Sequence, residues 1–560
     1  MSAPVPLQTQ VIGSLPVSHA FLEQLGFADT IDQIVPWEGN VPLGTLAEIL
    51  VINRLSAPKP LYRLGEWAEQ VGLTGFYQLQ AAQLNDDLFG RALERLAQYA
   101  PDVEAALALR AARRFGLDLA KIHYDLTSIE LYGAYQQYTQ PAPEPAAAGP
   151  SQAQAAASPD YQPPRPTYGR SKSGRKNLKQ VQLGLNVLGD GAVPIGHTVL
   201  DGNTAEATTH LANLKRLKAV LPTSRFLLIN DSKGDTEDTL LNIKAENCEF
   251  LCAGAFSPVL QQRYLALRDK MHPIAYHPKS QDRLPPEERD EYKAHEVEEL
   301  LVGKVAGRTV RLRYRLIFVW SEARALQKAQ TRERHVSKIR AELEKTVKNL
   351  NKYKLKTQAV IVARLEKAKG KYSEGSLFSY ELQGEEGQFR LSWRLDEEAL
   401  ARRKALEGVY VLKTNLGRSR HPVVKVLRTY KEQSGVEKRI SHIKGPLAVA
   451  PAFLENPQRI AGLLAVLVWS LLVMALQERQ VRRGLGGKPM FGLYPEGRPC
   501  QAPSGSTILG CFSTLCVVIF LHDDAPRRQL AQLTPLQRRL LDLLGILETD
   551  LHCFARSSFP

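Results

Sequence analysis

The sequence predicts an α/β fold, and three observations predict it. Apolar segments of strand length recur between residues 117 and 252, helical periodicity fills two of the gaps between them, and helix-patterned stretches flank the region. Residues 1–115 read as helical, because apolar side chains return every three to four positions through 44–55 and 88–109. Pro58, Pro60 and Pro101 are expected to interrupt that pattern. From Leu117 the period changes, and Leu119, Ile122 and Tyr124 lead as a strand to Asp125. The alternating Val181-Gln-Leu183-Gly-Leu185-Asn-Val187 and the apolar stretch 194–200 follow as two more strands. Residues 204–220 read as a helix with Leu211, Leu214 and Leu217 on its core face. Residues 225–230 form a buried strand ending at Asp231, 235–245 a second helix, and 249–252 a fifth strand.

Strand, strand, strand, helix, strand, helix, strand is the order of a ribonuclease-H-like core, in which helices cover both faces of a mixed sheet. Its first and fourth strands lie side by side, which would bring Asp125 and Asp231 together. Eight Pro and eight Ala between Pro141 and Arg170 mark an extended or disordered insert. The core pattern stops after 254 and resumes at 408–413. Between them lie a strand near 309–320, a long basic helical segment over 321–369 that reads as a helical hairpin, and a strand pair near 377–382 and 388–393. The expected layout is a helical domain over 1–115 that is a candidate for DNA contact, a first core part over 116–254 with the insert at 141–170, and an insertion domain over 255–406. A second core part with the catalytic helix over 407–480 and a C-terminal helical region over 481–560 complete it.

A chain of 560 residues is too long for one hydrophobic core, so several packing units are expected. Apolar residues at 44% and charged residues at 23% suit a water-soluble globular protein. A formal net charge of +15 and a pI near 9.4 depart from that norm and suit a polyanionic partner. The excess is localised: fourteen Lys/Arg face five Asp/Glu between Ser321 and Gly370, and five Lys/Arg with no acid lie between Arg170 and Gln180. In the second cluster Lys172, Arg175 and Lys176 are candidate phosphate contacts. Six cysteines without a paired CxxC arrangement exclude a disulfide framework and argue against zinc, so Cys248, Cys252, Cys511 and Cys516 read as buried thiols in a reducing compartment. The first eight residues lack the basic start and apolar core of a signal peptide. The apolar run 460–476, with Ser470 inside it, and the shorter run 508–521 read as core elements rather than membrane spans. A cytoplasmic protein with no membrane partner is expected.

The chemistry concentrates in three acidic residues and one polar stripe. Asp125 and Asp231 end or follow apolar strands, and Glu437 lies in Tyr430-Lys-Glu-Gln-Ser-Gly-Val-Glu437-Lys-Arg-Ile-Ser-His-Ile-Lys444. On one helix, positions 430, 433, 437, 440 and 444 share a face, so Tyr430, Gln433, Glu437 and Lys444 are expected to line one polar groove. Three hard oxygen ligands without supporting His or Cys suit two Mg²⁺ ions, with Mn²⁺ as a substitute, and two such ions support phosphodiester chemistry. Lys444 would hold a non-reacting phosphate as a point charge, and Tyr430 would donate a hydrogen bond to one.

At these residues the chain resembles the DDE transposases of bacterial insertion sequences, in the branch with the signature Y-x2-R-x3-E-x6-K and a large insertion before its glutamate. Tyr430, Glu437 and Lys444 match the register, while Gln433 stands at the arginine position and Lys438 or Arg439 would have to supply its charge. The resemblance extends to His123-Tyr-Asp125-Leu-Thr-Ser-Ile-Glu-Leu-Tyr-Gly133, Tyr168-Gly-Arg-Ser-Lys172 with Leu178-Lys-Gln180, Asp201-Gly-Asn-Thr204 and Asp231-Ser-Lys-Gly234. It implies a Mg²⁺-dependent, nucleoid-associated bacterial transposase with Asp125, Asp231 and Glu437 as catalytic metal ligands. Such an enzyme binds terminal inverted repeats of double-stranded DNA, nicks the element ends and joins them to target DNA, acting as a homodimer. The resemblance further implies an insertion over the active site, where Trp320 and Trp393 are candidates for stacking on a flipped base. Two other readings stand beside it: a catalytically inactive, transposase-derived DNA-binding protein, and a ribonuclease-H-like nuclease that cleaves without joining.

Overall fold

The computed structural model describes residues 7–133, 135, 161–169, 175, 177–221, 225–445, 447, 454–521 and 527–556. Most of the Pro/Ala-rich insert, together with Lys172 and Lys176, lies outside the described residues. The chain divides into two compact units: the first holds residues 1–231, 246–249 and 431–560, the second residues 232–245 and 250–430.

The first unit opens with strand β1 (Leu7–Val11) and six helices: α1 (Leu15–Leu25), α2 (Phe27–Ile34), α3 (Leu43–Ser56), α4 (Leu64–Gln70), α5 (Leu73–Tyr77) and α6 (Asp86–Phe115). Strands β2 (Lys121–Leu131), β3 (Lys179–Leu188) and β4 (Pro194–Asp201), helix α7 (Glu206–Val220) and strand β5 (Leu227–Asn230) follow. These strands lie in the order β4-β3-β2-β5. The first two pairings are antiparallel and β2–β5 is parallel, so the sheet is mixed. Every residue of β3 is buried, because helices cover both faces of the sheet.

The second unit begins with α8 (Glu237–Ala245), β6 (Glu249–Gly254, from residue 250), α9 (Pro258–Leu267), β7 (His272–Pro273) and the long strands β8 (Tyr292–Val305) and β9 (Arg308–Ser321). Then come α10 (Glu322–Lys348), α11 (Gln358–Gly370), β10 (Phe378–Gln383), β11 (Arg390–Leu395), α12 (Glu397–Ala405), β12 (Val409–Thr414) and α13 (Val423–Lys431). Strands β6-β12-β9-β8-β7 pair antiparallel in that order, and β10–β11 form a separate hairpin. The basic segment 321–369 is two helices, as a helical hairpin requires. They share a small core in which Ile339 and Leu343 of α10 meet Ile361 and Leu365 of α11 and Phe378 of β10.

The chain returns to the first unit with α14 (Ser434–Lys444), α15 (Pro457–Leu485), α16 (Gly505–Gly510), β13 (Cys516–Phe520), β14 (Arg527–Leu530) and α17 (Pro535–Leu544). The C-terminal region is therefore not purely helical, and β13 pairs with β1 at the far end of the sequence. Among the described residues α15 is the one helix long and apolar enough to cross a membrane, and 94% of its most apolar window is buried. A helix apolar all round belongs inside a core, and α15 packs on α3, α6, α14 and β4. Gly462 permits the contact with α6, since a Cβ there would overlap the Leu93 carbonyl. Trp469 of α15 meets Phe27 edge-on at 5.6 Å between ring centroids.

Helix α6 corrects one expectation: it runs through Pro101 without a break. Proline removes one helical hydrogen bond and costs about 3 kcal/mol. Here Pro101 faces solvent while Ala97, Ala100 and Glu104 face inward. Packing against α15 and β4 holds the helix. All six cysteines are free thiols; Cys248 and Cys252 are buried as expected, while Cys511 and Cys516 are only half-buried.

A buried carboxyl in the N-terminal helices makes stability depend on pH. Glu48 accepts a 2.8 Å hydrogen bond from the Tyr77 hydroxyl. Its pKa is pushed up to about 7 by burial, against the pull of that hydrogen bond and with help from the charges of Glu23, Asp29 and Asp32. Below pH 4.5 the carboxyl is protonated in folded and unfolded chains alike. As pH rises towards 7 the unfolded chain ionises first, so stability is lost across that window, by roughly 3 kcal/mol. Glu48→Gln should match the parent protein at pH 4 and exceed it by roughly that amount at pH 8 in urea unfolding. An equal difference at both pH values would mean that Glu48 is ionised in the fold.

Candidate functional site

The strands that lead to the two aspartates are neighbours in the sheet. Lys121 to His123 of β2 pair in parallel with Leu227 to Ile229 of β5. Extended two positions past its last pair, the same step would bring Asp231, just beyond the end of β5, beside Asp125. Asp125 also pairs across the antiparallel ladder with Leu185 of β3, so its side chain shares the face of Leu183, Leu185 and Val187. That is the face covered by α14 and α15. Asp125 is half-buried, and its Oδ1 accepts from the Leu126 amide at 2.9 Å, which restrains the carboxylate. Asp231 is half-buried just beyond β5. Burial lowers the pKa of His210 on α7, while the charges of Asp231 and Glu206 oppose that shift.

Helix α14 positions Glu437. Val436, Ile440 and Ile443 bury themselves against Val181, Leu183 and Leu185 of β3 and Leu464, Leu467 and Leu471 of α15. Each such side chain contributes about 1.5–3 kcal/mol by leaving water. Glu437 and Lys444 remain exposed on the opposite side. The polar stripe expected from 430 to 444 is therefore split. Ile440 is core, and Gln433 is 8% exposed at the start of α14 with no hydrogen-bond partner for its Oε1 among the described residues. Buried there, Gln433 does not face a polar groove. The helix also breaks between Lys431 and Ser434, where Val436 N bonds Gln433 O and Gly435 N bonds Glu432 O in three-residue steps. A Ser434–Gly435 pair is a common place for such a kink. Gly435 allows α14 to approach the β3–β4 turn, where a Cβ would come within 3.1 Å of that of Ala192.

Arg439 does not stand in for the missing arginine. It is 2% exposed, donates to the Gly191 and Ala192 carbonyls at 3.0 and 2.9 Å, and pairs with Glu478 of α15 at 2.9 Å. Glu478 also accepts from the Gly505 amide at 2.7 Å and meets Arg482 at 3.2 Å. Burial would raise the Glu478 pKa, but Arg439 and then Arg482 outweigh it and hold the carboxyl below its usual range. Lys438 is exposed.

The other expected DNA contacts fall in both units. Arg175 is exposed and bonds the Tyr132 hydroxyl at 2.5 Å. Tyr430 lies in the last turn of α13, in the second unit, half-buried. In that unit the Tyr410 pKa is raised by burial first, then by Tyr292 and Tyr276, with Tyr430 adding a smaller push against Arg324. Trp320 is half-buried on β9 beneath the Lys293 ammonium, 5.2 Å from the ring centroid. Trp393 leans on Phe378 at 5.9 Å. Both indoles are engaged within their own unit. Sequence reasoning missed the Arg439–Glu478 pair; its one signal was an acid directly after an apolar run.

Among the described residues no three His, Cys, Asp or Glu side chains are gathered closely enough to hold a metal ion. The arrangement is thus an aspartate pair by strand register, with Glu437 not closed onto it. A family model described as a domain of unknown function, DUF4277, matches residues 7–106. No curated protein matches the chain. Among solved structures, a crystal structure of a pre-cleavage Mos1 transpososome matches at 15% identity over 42% of this chain and 68% of that one, with a TM-score of 0.15.

Arg439→Met should lower unfolding free energy by about 3–5 kcal/mol in urea titration, because it leaves Glu478 buried beside too little positive charge. Arg439→Met with Glu478→Leu should regain most of that loss. The Glu478 contribution is present above its unfolded pKa of 4.5 and fades as pH falls through its lower folded value. A double variant as unstable as the sum of the singles would show that the charges do not interact.

Proposed function

We propose that the chain is a DNA transposase with a ribonuclease-H-like core, cleaving element ends and joining them to target DNA through Asp125, Asp231 and Glu437. The observation that carries the reading is the parallel β2–β5 pairing, which puts the strands leading to Asp125 and Asp231 side by side, with Asp125 on the sheet face beneath the helix bearing Glu437. Mg²⁺ takes one or two carboxylates together with waters and substrate phosphate oxygens, and the aspartate pair offers that donor set. When bound, two such ions would activate a water or 3′-hydroxyl and stabilise the leaving oxygen.

The protein's own groups have separate tasks. Asp125, restrained by the Leu126 amide, and Asp231 would bind the first ion. Glu437 is anchored through Arg439 two positions on, but its side chain is exposed and able to turn. It would supply a carboxylate ligand to the second ion. Lys444, on the same exposed side of α14, would hold a non-reacting phosphate, and Tyr430 would donate a hydrogen bond to another. Joining two ends in one event calls for two copies of the chain.

The test uses DNA carrying the sequences that flank the coding region. Asp125→Asn, Asp231→Asn and Glu437→Gln should each cut Mg²⁺-dependent strand scission by about 10²–10³-fold or more, the scale of losing one group that stabilises developing charge. End binding should persist in all three. Scission surviving any of these changes would sink the assignment. Binding without scission in Mg²⁺ or Mn²⁺ would favour an inactive DNA-binding descendant, and cleavage without strand transfer would favour a nuclease.

A further inference from the structure

The hairpin of β8 and β9 pairs over fourteen positions, from Tyr292 with Ser321 to Val305 with Arg308. It closes through Ala306 and Gly307, whose φ angles of 46° and 78° make a tight turn that keeps the two strands twisted together. Its two faces differ. Leu301, Gly303, Val310 and Leu312 turn inward, and α8 lies against them, with Leu241 where a Cβ on Gly303 would be. The outer face carries the cross-strand pairs Leu300 with Arg313, Val302 with Arg311 and Lys304 with Thr309, all exposed. Leu300 and Val302 are 58% and 52% exposed, side by side along one strand. Nearer the base of the ribbon the charges are paired, Arg263 with Glu299 and Arg315 with Glu296. Lys304, Arg308, Arg311 and Arg313 make no ion pair among the described residues.

We propose that this outer face is a contact for duplex DNA, a surface that deepens the reading given above and rests on it. Uncompensated arginines fit phosphates, and aliphatic side chains fit base and sugar edges, so the composition matches a groove. A two-stranded ribbon is narrow enough to enter a major groove about 12 Å wide. The inner face is held by α8, so the outer residues are presented without a large ordering cost on binding. On α10 and α11 three cations are held in ion pairs, Arg332 with Glu407, Arg364 with Glu342 and Lys369 with Glu366.

The test is fluorescence anisotropy of a labelled duplex against the full chain at several KCl concentrations. Lys304→Gln, Arg311→Gln and Arg313→Gln together should reduce the slope of log K on log salt by about 2–3, near 0.9 for each phosphate that is no longer neutralised. Leu300→Ser with Val302→Ser should keep the slope and weaken binding about fivefold or more at fixed salt. A triple variant with unaltered slope, and with the parent's circular dichroism and urea midpoint, would overturn the proposal. So would a parent protein that does not bind duplex. Scission by the parent together with an unaltered slope removes the ribbon contact alone. A reduced slope with no scission keeps it and removes the catalytic reading.

Discussion

The buried pairing of Arg439 with Glu478 is the constraint on which the rest of the candidate site depends. Both groups are almost fully withdrawn from water, at 2% and 1% exposure, so neither can be left alone without a large electrostatic cost. Satisfying both fixes α14 against α15. Nη2 and Nε of the guanidinium also reach the carbonyls of Gly191 and Ala192, which fixes α14 against the β3–β4 turn as well. Such a pair adds little net stability over a hydrophobic replacement; what it supplies is a single allowed alignment. Glu437, two residues before Arg439, inherits that alignment, and with it the side of the sheet on which Asp125 lies.

The site combines a rigid part and an adaptable part. Asp125 sits on β2 and Asp231 just beyond its parallel neighbour β5, so paired backbone leads to both. Glu437 and Lys444 are on the solvent side of a helix whose inner side is core. Their backbones are fixed while their side chains stay free to turn. That division suits a polyanionic substrate that brings part of the electrostatics with it, because the carboxylates need not be crowded together against mutual repulsion before it arrives.

Much of the sheet was legible because its strands obey local rules. The alternation at 181–187 became β3, the apolar stretch 194–200 became β4, and 225–230 became β5 with Asp231 just beyond it. Strand β8 was not legible. Its run of Glu and Lys looks like a loop, and it is a strand only because β9 pairs with it along its whole length. Pro101 misled in the opposite direction, since packing on one side of α6 overrides a local breaker on the other. The polar stripe from 430 to 444 assumed one continuous helix. Ser434 and Gly435 kink it, and the burial of Gln433 depends on neighbours that no local pattern names. Arg439 read as a spare cation because its partner lies 39 positions away, at the end of a run that looked wholly apolar.

The order of synthesis gives the buried helix α15 a further meaning. The apolar face of β3 is complete once Leu188 leaves the ribosome, yet the helix that covers it ends at Leu485, about 300 residues later. At about 5–20 residues per second that is an interval of roughly 15–60 s. Throughout it the nascent chain carries a greasy sheet face without that cover, while the residues of the second compact unit are being made. A chaperone, or speed, must bridge the delay, and the tail of the polypeptide decides whether its beginning escapes aggregation.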